Sequence, residues 1–447
     1  MRSFSELPEA GLWAGAATAD LTPQSSMFLF GYPHVPRMST GVHDRLEATA
    51  LYLRHGDSKV LFIANDLIFV GKALVREVRR RVSERTGLPA QAIAITATHT
   101  HSGPLMLDCL SNNADPVVPK TDPVYVEWVT GRMVDAACEA IRSAVPAEAG
   151  LAVADARGIG TNRHDPAGPA DPSVPVLLVR TRKQPRVLAC MVAYAMHTTV
   201  LHEDSTLISS DFPHFTRQYL RDRGLVPAGV PILYHNGASG NQSPRHVTKA
   251  NTFAEAQRLG EMLGAAIAAV VPGIKFDAAP VIRVRSAQVT LSTRTMPSVE
   301  AAQAWARQTR ERFESLRQSS APRTAVRTAE CDWFGAEETV ALARAAADGR
   351  LEKAAAGSSP AEVQVIQLGP WKFVFWPGEF FVEYALQVKA ASPQTFVVTL
   401  ANGEMQGYIV TPEAAARGVY EATNALFSPD NGRRVVEATL DLLRAAD

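Results

Sequence analysis

KVLFIAND (Lys59–Asp66) is followed by KALVREVRRRVSER (Lys72–Arg85) and then by IAITAT (Ile93–Thr98). The first and third stretches are short and almost wholly apolar, as strands buried on both faces are. The middle stretch carries Leu74, Val75, Val78 and Val82 at helical spacing with charges between them. Strand, helix and strand in that order form a βαβ unit, whose two strands run parallel across a right-handed crossover. That unit sets the fold class as α/β.

Outward from it, Tyr125–Val145 has the pattern of an amphipathic helix. Val174–Arg180 and Arg186–Met196 flank TRKQP, which predicts a hairpin. Phe212–Asp222 reads as helix, Pro231–His235 as a short strand, Phe253–Val271 as helix and Val281–Leu291 as strand. Residues 295–358 are rich in Ala and Arg with few large apolar side chains, which predicts a helical insertion or lid. Glu362–Leu368 and Lys372–Trp376 form a second hairpin, a helix starts at about Glu379, Thr395–Leu400 is a strand and Arg433–Ala446 a helix. Interleaved strands and helices without a long linker predict one α/β unit over 1–447, a mixed β-sheet core flanked by helices.

Composition narrows the function. The chain has 447 residues, 46% hydrophobic and 20% charged, with 45 Lys plus Arg against 45 Asp plus Glu. A balanced charge gives no global field for nucleic acid or an anionic membrane. The four cysteines, Cys109, Cys138, Cys190 and Cys331, form no CxxC pair, which argues against a disulfide scaffold. No apolar run reaches membrane-spanning length. MRSFSELPEAGLWAGAATADLTP at the N-terminus lacks a continuous apolar signal core. The expectation is a cytoplasmic protein acting on a small molecule or lipid-like compound, with no integral membrane segment.

Several strand-like runs end in dense polar tips, where α/β proteins place their chemistry. Thr98-His99-Thr100-His101-Ser102-Gly103-Pro104 puts two imidazoles on one face if the strand stays extended; they suit a metal ion, an acid/base pair or simply a loop surface. His197, in Met196-His197-Thr198-Thr199, follows another apolar run. Asp211, in Ser209-Ser210-Asp211, precedes a helix as a cap does. The loop from His235 through Gly237, Gly240 and Ser243 to Pro244 is either a turn or a nest of N–H groups facing an anion. Glu379, in Trp376-Pro377-Gly378-Glu379-Phe380-Phe381, is a helix-terminal charge or a ligand; as a ligand it completes a His, His, Glu zinc set with an open position. Tyr408 and Tyr420 stand twelve residues apart.

In order and wording, these clusters resemble the catalytic domain of the neutral/alkaline ceramidase family. The pieces that carry the resemblance are Gly41-Val42-His43, THTHSGP (Thr98–Pro104), Asn162-Arg163, MHTT (Met196–Thr199), SSD (Ser209–Asp211), Ser243-Pro244, PGEF (Pro377–Phe380) and GYIVTP with Tyr420-Glu421. The resemblance implies a zinc enzyme that cleaves the amide of N-acyl sphingoid bases. It implies His99, His197, Glu379 and Tyr408 as zinc ligands, with His101, Arg163 and Tyr420 lining the reacting carbonyl. Ser243 falls on the family's active-site serine, as a nucleophile, an oxyanion donor or a substrate anchor. Family enzymes carry an immunoglobulin-like C-terminal domain, for which the sequence up to residue 447 has no counterpart. The family's Gly-Asp-x-Ser-Pro-Asn loop reads Gly240-Asn241-Gln242-Ser243-Pro244-Arg245, and Leu105-Met106-Leu107 replace glycines. The expected activity is zinc-dependent hydrolysis of an N-acyl compound, a ceramide-like lipid or another small amide. An esterase or acyl transferase using the same site, or a homologue that only binds metal and ligand, are the alternatives.

Overall fold

The computed structural model describes residues 11–445; the first ten residues of the N-terminal stretch read above, and Ala446, lie outside them. The largest sheet has eight strands in the order Ile232–Asn236, Val187–Tyr194, Ser173–Thr181, Val145–Asp155, Leu12–Asp20, Glu47–His55, Ser58–Asn65, Ile93–Ala97. Its two outermost pairs are parallel and its inner pairs antiparallel, so the sheet is mixed. The βαβ unit is present, with Leu61 opposite Ile93 in a parallel register and the helix Lys72–Thr86 between the strands.

A second sheet orders Ile282–Val289, Ala361–Leu368, Trp371–Phe375 and Thr395–Val398. One apolar cluster joins the sheets, with Leu51, Phe62, Leu177 and Leu233 of the first against Ile366, Phe373, Phe375 and Val398 of the second. Helices cover the outer faces: Lys72–Thr86 and Pro123–Arg142 on one half of the large sheet, Phe212–Asp222 and Phe253–Val270 on the other, Val382–Ala391 and Asp430–Arg444 on the small sheet. Alternate residues of each strand feed opposite clusters, as the two-residue period of a strand requires. Helices Val299–Gln318, Arg323–Ala347 and Arg350–Ser358 all lie in the connection between two neighbouring strands, Ile282–Val289 and Ala361–Leu368.

Three strands are not anticipated by the sequence pattern: Leu12–Asp20, Glu47–His55 and Val145–Asp155. The first and last are rich in Ala, which carries little strand propensity. Close packing explains the small residues. A Cβ on Gly15 would lie 2.1 Å from the Ala140 carbonyl of the overlying helix, and one on Gly150 2.4 Å from the Lys275 carbonyl. The predicted helix at Glu379 also needs correction. Glu379–Phe380 is a short strand, and the helix begins at Val382.

The large sheet curls until its two edges meet. Thr96 on one edge strand hydrogen-bonds His235 Nδ1 on the other at 2.7 Å, and both are buried. Beside them the fully buried pair Arg217–Asp66 forms a two-pronged ion pair at 2.7 and 2.9 Å. The segment Thr399–Asn402 bridges the edges: Thr399 N–H donates to the Asn236 carbonyl, Ala97 N–H to the Leu400 carbonyl, and Asn402 N–H to the Ile95 carbonyl. The C-terminal ends of strands from both edges and from the small sheet therefore converge.

Burial, followed by the nearby Arg217 charge, pushes the His235 imidazole down to about 3. An unfolded histidine titrates near 6.5, so between those values the unfolded chain binds the extra proton. Stability therefore falls as pH drops from about 6.5 towards 3. Replacing His235→Gln removes that contribution and flattens the slope of unfolding free energy by up to about 1.4 kcal/mol per pH unit. Urea unfolding of both proteins across that range checks it; parallel profiles would contradict a neutral, buried His235.

Candidate metal centre

His99 and His101 follow the edge strand Ile93–Ala97, and His197 follows Val187–Tyr194. The strand does not stay extended to His101, as the sequence reading supposed. It ends at Ala97, and His99 takes a left-handed φ of 67°. The two rings meet all the same, centroids 4.8 Å apart and nearly perpendicular, because the chain folds back on itself. Thr198 Oγ1 donates to the carbonyls of Thr98 and His99, so the His197 strand end fixes the unusual conformation.

Each imidazole is oriented by a backbone carbonyl. His99 Nδ1 faces Ile68 O at 3.1 Å, His101 Nδ1 faces Gly31 O at 3.1 Å and His197 Nδ1 faces Ser239 O at 2.7 Å. A carbonyl only accepts, so every Nδ1 carries the hydrogen and every neutral ring presents a bare Nε2. Those nitrogens converge: His101 Nε2 is 3.3 Å from His99 Nε2, and the three ligand atoms lie within 4.8 Å of one another. Glu379 Oε2 enters at 3.2 Å from His99 Nε2 and 3.1 Å from His197 Nε2. That buried oxygen has no aligned hydrogen bond.

Glu379 and Tyr408 are direct partners in a parallel pair of short strands, Glu379–Phe380 with Tyr408–Ile409. This pairing brings the Tyr408 hydroxyl to 3.4 Å from His197 Nε2. Burial first, then Arg163 and His99, pushes His197 down to about 4. His101 is likewise driven well down by burial and by its two imidazole neighbours. Neutral nitrogens around a buried carboxylate form a cation-binding set, and the donor types fit a divalent transition metal. Outer contacts of the Nδ1–H to carbonyl kind are those that orient metal-binding histidines.

The glycine-rich loop does something other than cradle an anion. It turns its carbonyls of Ser239 and Gln242 towards His197, which donates both Nδ1–H and its backbone N–H to them. Gly240 packs against the other ligand strand, where a Cβ would lie 2.7 Å from Phe380 O and 3.0 Å from Glu379 O. Asn241, in place of the family's Asp, accepts from Val382 N–H and donates to Glu383 Oε2 at 2.8 Å; a carboxylate could not make the second bond. Leu105 and Met106, in place of glycines, turn into the apolar core.

The remaining predicted site residues gather at the same end. Tyr420 packs edge-on to Tyr408, centroids 6.2 Å apart. The Arg163 guanidinium lies over the Tyr408 ring at 5.2 Å and is paired through Nε to Glu421 at 2.5 Å. Burial alone would raise the Glu421 carboxyl, but Arg163 and His164 hold it at about 2. Arg163 therefore braces Tyr408 and is already neutralised. Ser243 is buried, bridged to Thr161, and its Oγ accepts from Arg245 N–H. The two histidines nearest it in sequence are occupied elsewhere, His235 with Thr96 and His246 with the Arg163 carbonyl.

Two supports escaped the sequence reading. Arg37, almost wholly buried, donates to the His101 carbonyl at 2.8 Å and to the Ser205 carbonyl. Gly31, at φ 124°, leaves no room for a side chain, since a Cβ would sit 2.3 Å from His101 Nδ1. Helix Arg323–Ala347 covers these loops, with His34 Nε2 on Glu337 at 2.7 Å, Arg245 on Thr328 at 2.9 Å and Gly335 against the Tyr420–Thr423 turn.

The family model described as neutral/alkaline non-lysosomal ceramidase, N-terminal, matches residues 13–156. A neutral ceramidase of Mycobacterium tuberculosis is 26% identical over 224 residues, 45% of this chain and 34% of that protein. A neutral ceramidase of Drosophila pseudoobscura pseudoobscura is 31% identical over 102 residues, 22% of this chain and 14% of that protein. The aligned stretches thus span about a third or less of those relatives. The crystal structure of neutral ceramidase from Pseudomonas aeruginosa shares the fold, with a TM-score of 0.74 at 18% identity over 97% of this chain and 74% of that one. A ceramidase complexed with C2 superposes with a TM-score of 0.72 at 16% identity, over 97% and 76%.

The tautomers are open to direct test. In metal-free protein at neutral pH, nitrogen NMR of labelled imidazoles is expected to show His99, His101 and His197 protonated at Nδ1 and bare at Nε2. Gly31→Ala should perturb the His101 signals most. An Nε2–H tautomer at any of the three would contradict the orientation described.

Proposed function

We propose, taking the chain's place among the neutral/alkaline ceramidases as the premise, that it is a zinc-dependent amidohydrolase acting on the amide of an N-acyl compound of the ceramide kind. The observation that carries this reading is the convergence of the His99 and His197 Nε2 atoms on the Glu379 carboxylate, with the His101 Nε2 beside that of His99. Without a cation, those acceptors face one another unsatisfied in a buried site, which is costly. His99, His197, Glu379 and Tyr408 would hold the ion, with His101 at its open side. Zinc, when bound, supplies Lewis acidity to a carbonyl and makes water nucleophilic at neutral pH.

The chain's own groups then have separable tasks. His101 donates Nδ1–H to the Gly31 carbonyl, so its Nε2 accepts a proton and the neutral ring serves as a base. It becomes a donor once protonated, which suits return of the proton to the departing amine. Tyr420 remains the donor to a developing oxyanion, a contact worth about 10²–10³ in rate when lost. Arg163, neutralised by Glu421, keeps Tyr408 in place and is not a free anion site. The helical insertion acts as a lid over the reacting end. Ser243, without a base in reach, orients substrate, and water makes the attack.

Two experiments test this. Elemental analysis should find one zinc per chain, and amide hydrolysis of a short-chain N-acyl sphingosine should vanish with a chelator, return with Zn²⁺ and be absent in His197→Ala. Full turnover by metal-free protein, or none by zinc-loaded protein on any N-acyl amide, would overturn the assignment. Ser243→Ala should keep measurable turnover, and intact-mass spectrometry with a slow substrate should show no acyl adduct. An adduct mapped to Ser243 would replace water attack by nucleophilic catalysis.

A further inference from the structure

We propose that Asp44 is a positioning residue for the metal-site histidines, acting at a distance through Ser209. The inference rests on the reading of the imidazole cluster as a metal centre. It joins two motifs that the mechanism leaves unused, Gly41-Val42-His43-Asp44 and Ser209-Ser210-Asp211.

The two segments are zipped together. Gly41–Val42 pairs in parallel with Leu207–Ile208, and the N–H groups of His43 and Asp44 both point at the Ile208 carbonyl. The Asp44 carboxylate, buried, then takes four donors. Oδ1 accepts from Ser210 N–H at 2.8 Å and Ser210 Oγ at 3.2 Å; Oδ2 accepts from Ser209 Oγ at 2.5 Å and His43 Nδ1 at 2.9 Å. Charge-assisted bonds of this kind are the strong ones. Ser209, so fixed, holds the histidine loop on both sides of His101. Its carbonyl accepts from Thr100 Oγ1 at 2.6 Å, and its N–H donates to the Ser102 carbonyl at 3.0 Å. Thr100 Oγ1 in turn accepts from Ser102 N–H.

The loop needs such an anchor. His99 sits at a left-handed φ that is unfavourable for a non-glycine residue and persists only where its surroundings enforce it. Thr198 holds the carbonyls of Thr98 and His99, and Ser209, fixed by Asp44, holds the residues that follow, Thr100 and Ser102.

His43, Asp44 and His214 also satisfy the geometry of a second metal cluster. Two features weigh against that use. All four acceptor positions of Asp44 are filled, and His214 Nδ1 stays 3.7 Å from Oδ1. The N-terminus of helix Phe212–Asp222 and the Arg217 charge both face this corner with positive potential, as the lowering of His214 by burial and by Arg217 reflects, Asp44 opposing it. His43 is stacked on Phe253 at 3.8 Å, a support for the carboxylate.

The test uses Asp44→Ala and Ser209→Ala in the full chain, Ser209→Ala deciding if the first does not fold. Zn²⁺ affinity by chelator competition should fall about 10- to 100-fold in each, the usual effect of an outer-shell loss. Asp44→Asn, which keeps an acceptor for Ser210, should recover part of it. In metal-free protein, hydrogen exchange should quicken in peptides spanning 98–102 and stay unchanged at 239–242, on the opposite side of the site. Wild-type affinity and exchange in Ser209→Ala would overturn the proposal. So would a second zinc equivalent in the wild type that His43→Ala removes. A wild type that binds no zinc would sink the proposed function, whereas the exchange pattern judges this inference on its own.

Discussion

The structure turns on one constraint: three imidazoles each give their Nδ1 hydrogen to a backbone carbonyl and turn bare Nε2 atoms towards one another, two of them against the buried Glu379 carboxylate. The three carbonyls belong to Ile68, Gly31 and Ser239, in loops far apart in sequence. No local motif can supply them. Bare nitrogens and a carboxylate oxygen, all acceptors, each lie within 3.3 Å of another in a buried site, an arrangement that a bound cation relieves.

Meeting that constraint is what the curled sheet achieves. His99 and His101 leave one edge, His197 the other, and Glu379 and Tyr408 come from the short parallel strands that follow Trp371–Phe375 and Thr395–Val398 of the small sheet. A flat eight-stranded sheet would hold its edges tens of ångströms apart, since neighbouring strands are about 4.8 Å apart. The Thr96–His235 bond, the Arg217–Asp66 pair and the Thr399–Asn402 bridge close that gap. Among the described residues eight non-glycine positions have positive φ, and four of them are Leu400 and Asn402 in the bridge, His99 at the ligand and Asp211 at the helix cap. Strained backbone gathers where surrounding contacts over-determine it, and here these residues lie beside the site or in the bridge that shapes it.

Much of this was legible in the sequence. The βαβ unit, both hairpins and most helices follow from apolar period and turn residues, because strands buried on both faces and amphipathic helices write themselves plainly. The strands Leu12–Asp20 and Val145–Asp155 do not. Gly15 answers to the helix Pro123–Arg142 and Gly150 to the segment Ile274–Lys275, each packed almost on the strand backbone, a tertiary demand with no local signature. The chemistry of the polar tips was visible as residue types, but its geometry was not. His99 and His101 meet through a left-handed turn, not a shared strand face, and the glycine-rich loop, open in the sequence between a plain turn and a nest of N–H groups, offers carbonyls to His197. Glu421 was quoted only as the neighbour of Tyr420, although its charge decides what Arg163 can do. Arg37 and Gly31 act through one carbonyl and one missing side chain, which no spacing rule singles out.

The central claim, that His99, His197, Glu379 and Tyr408 form a zinc centre, is tested most directly by anomalous diffraction from crystals of protein purified without chelator, measured on both sides of the zinc absorption edge. The account predicts one anomalous peak within bonding distance of His99 Nε2, His197 Nε2 and Glu379 Oε2. A well-ordered site with no peak there, or with the peak beside other residues, would contradict it.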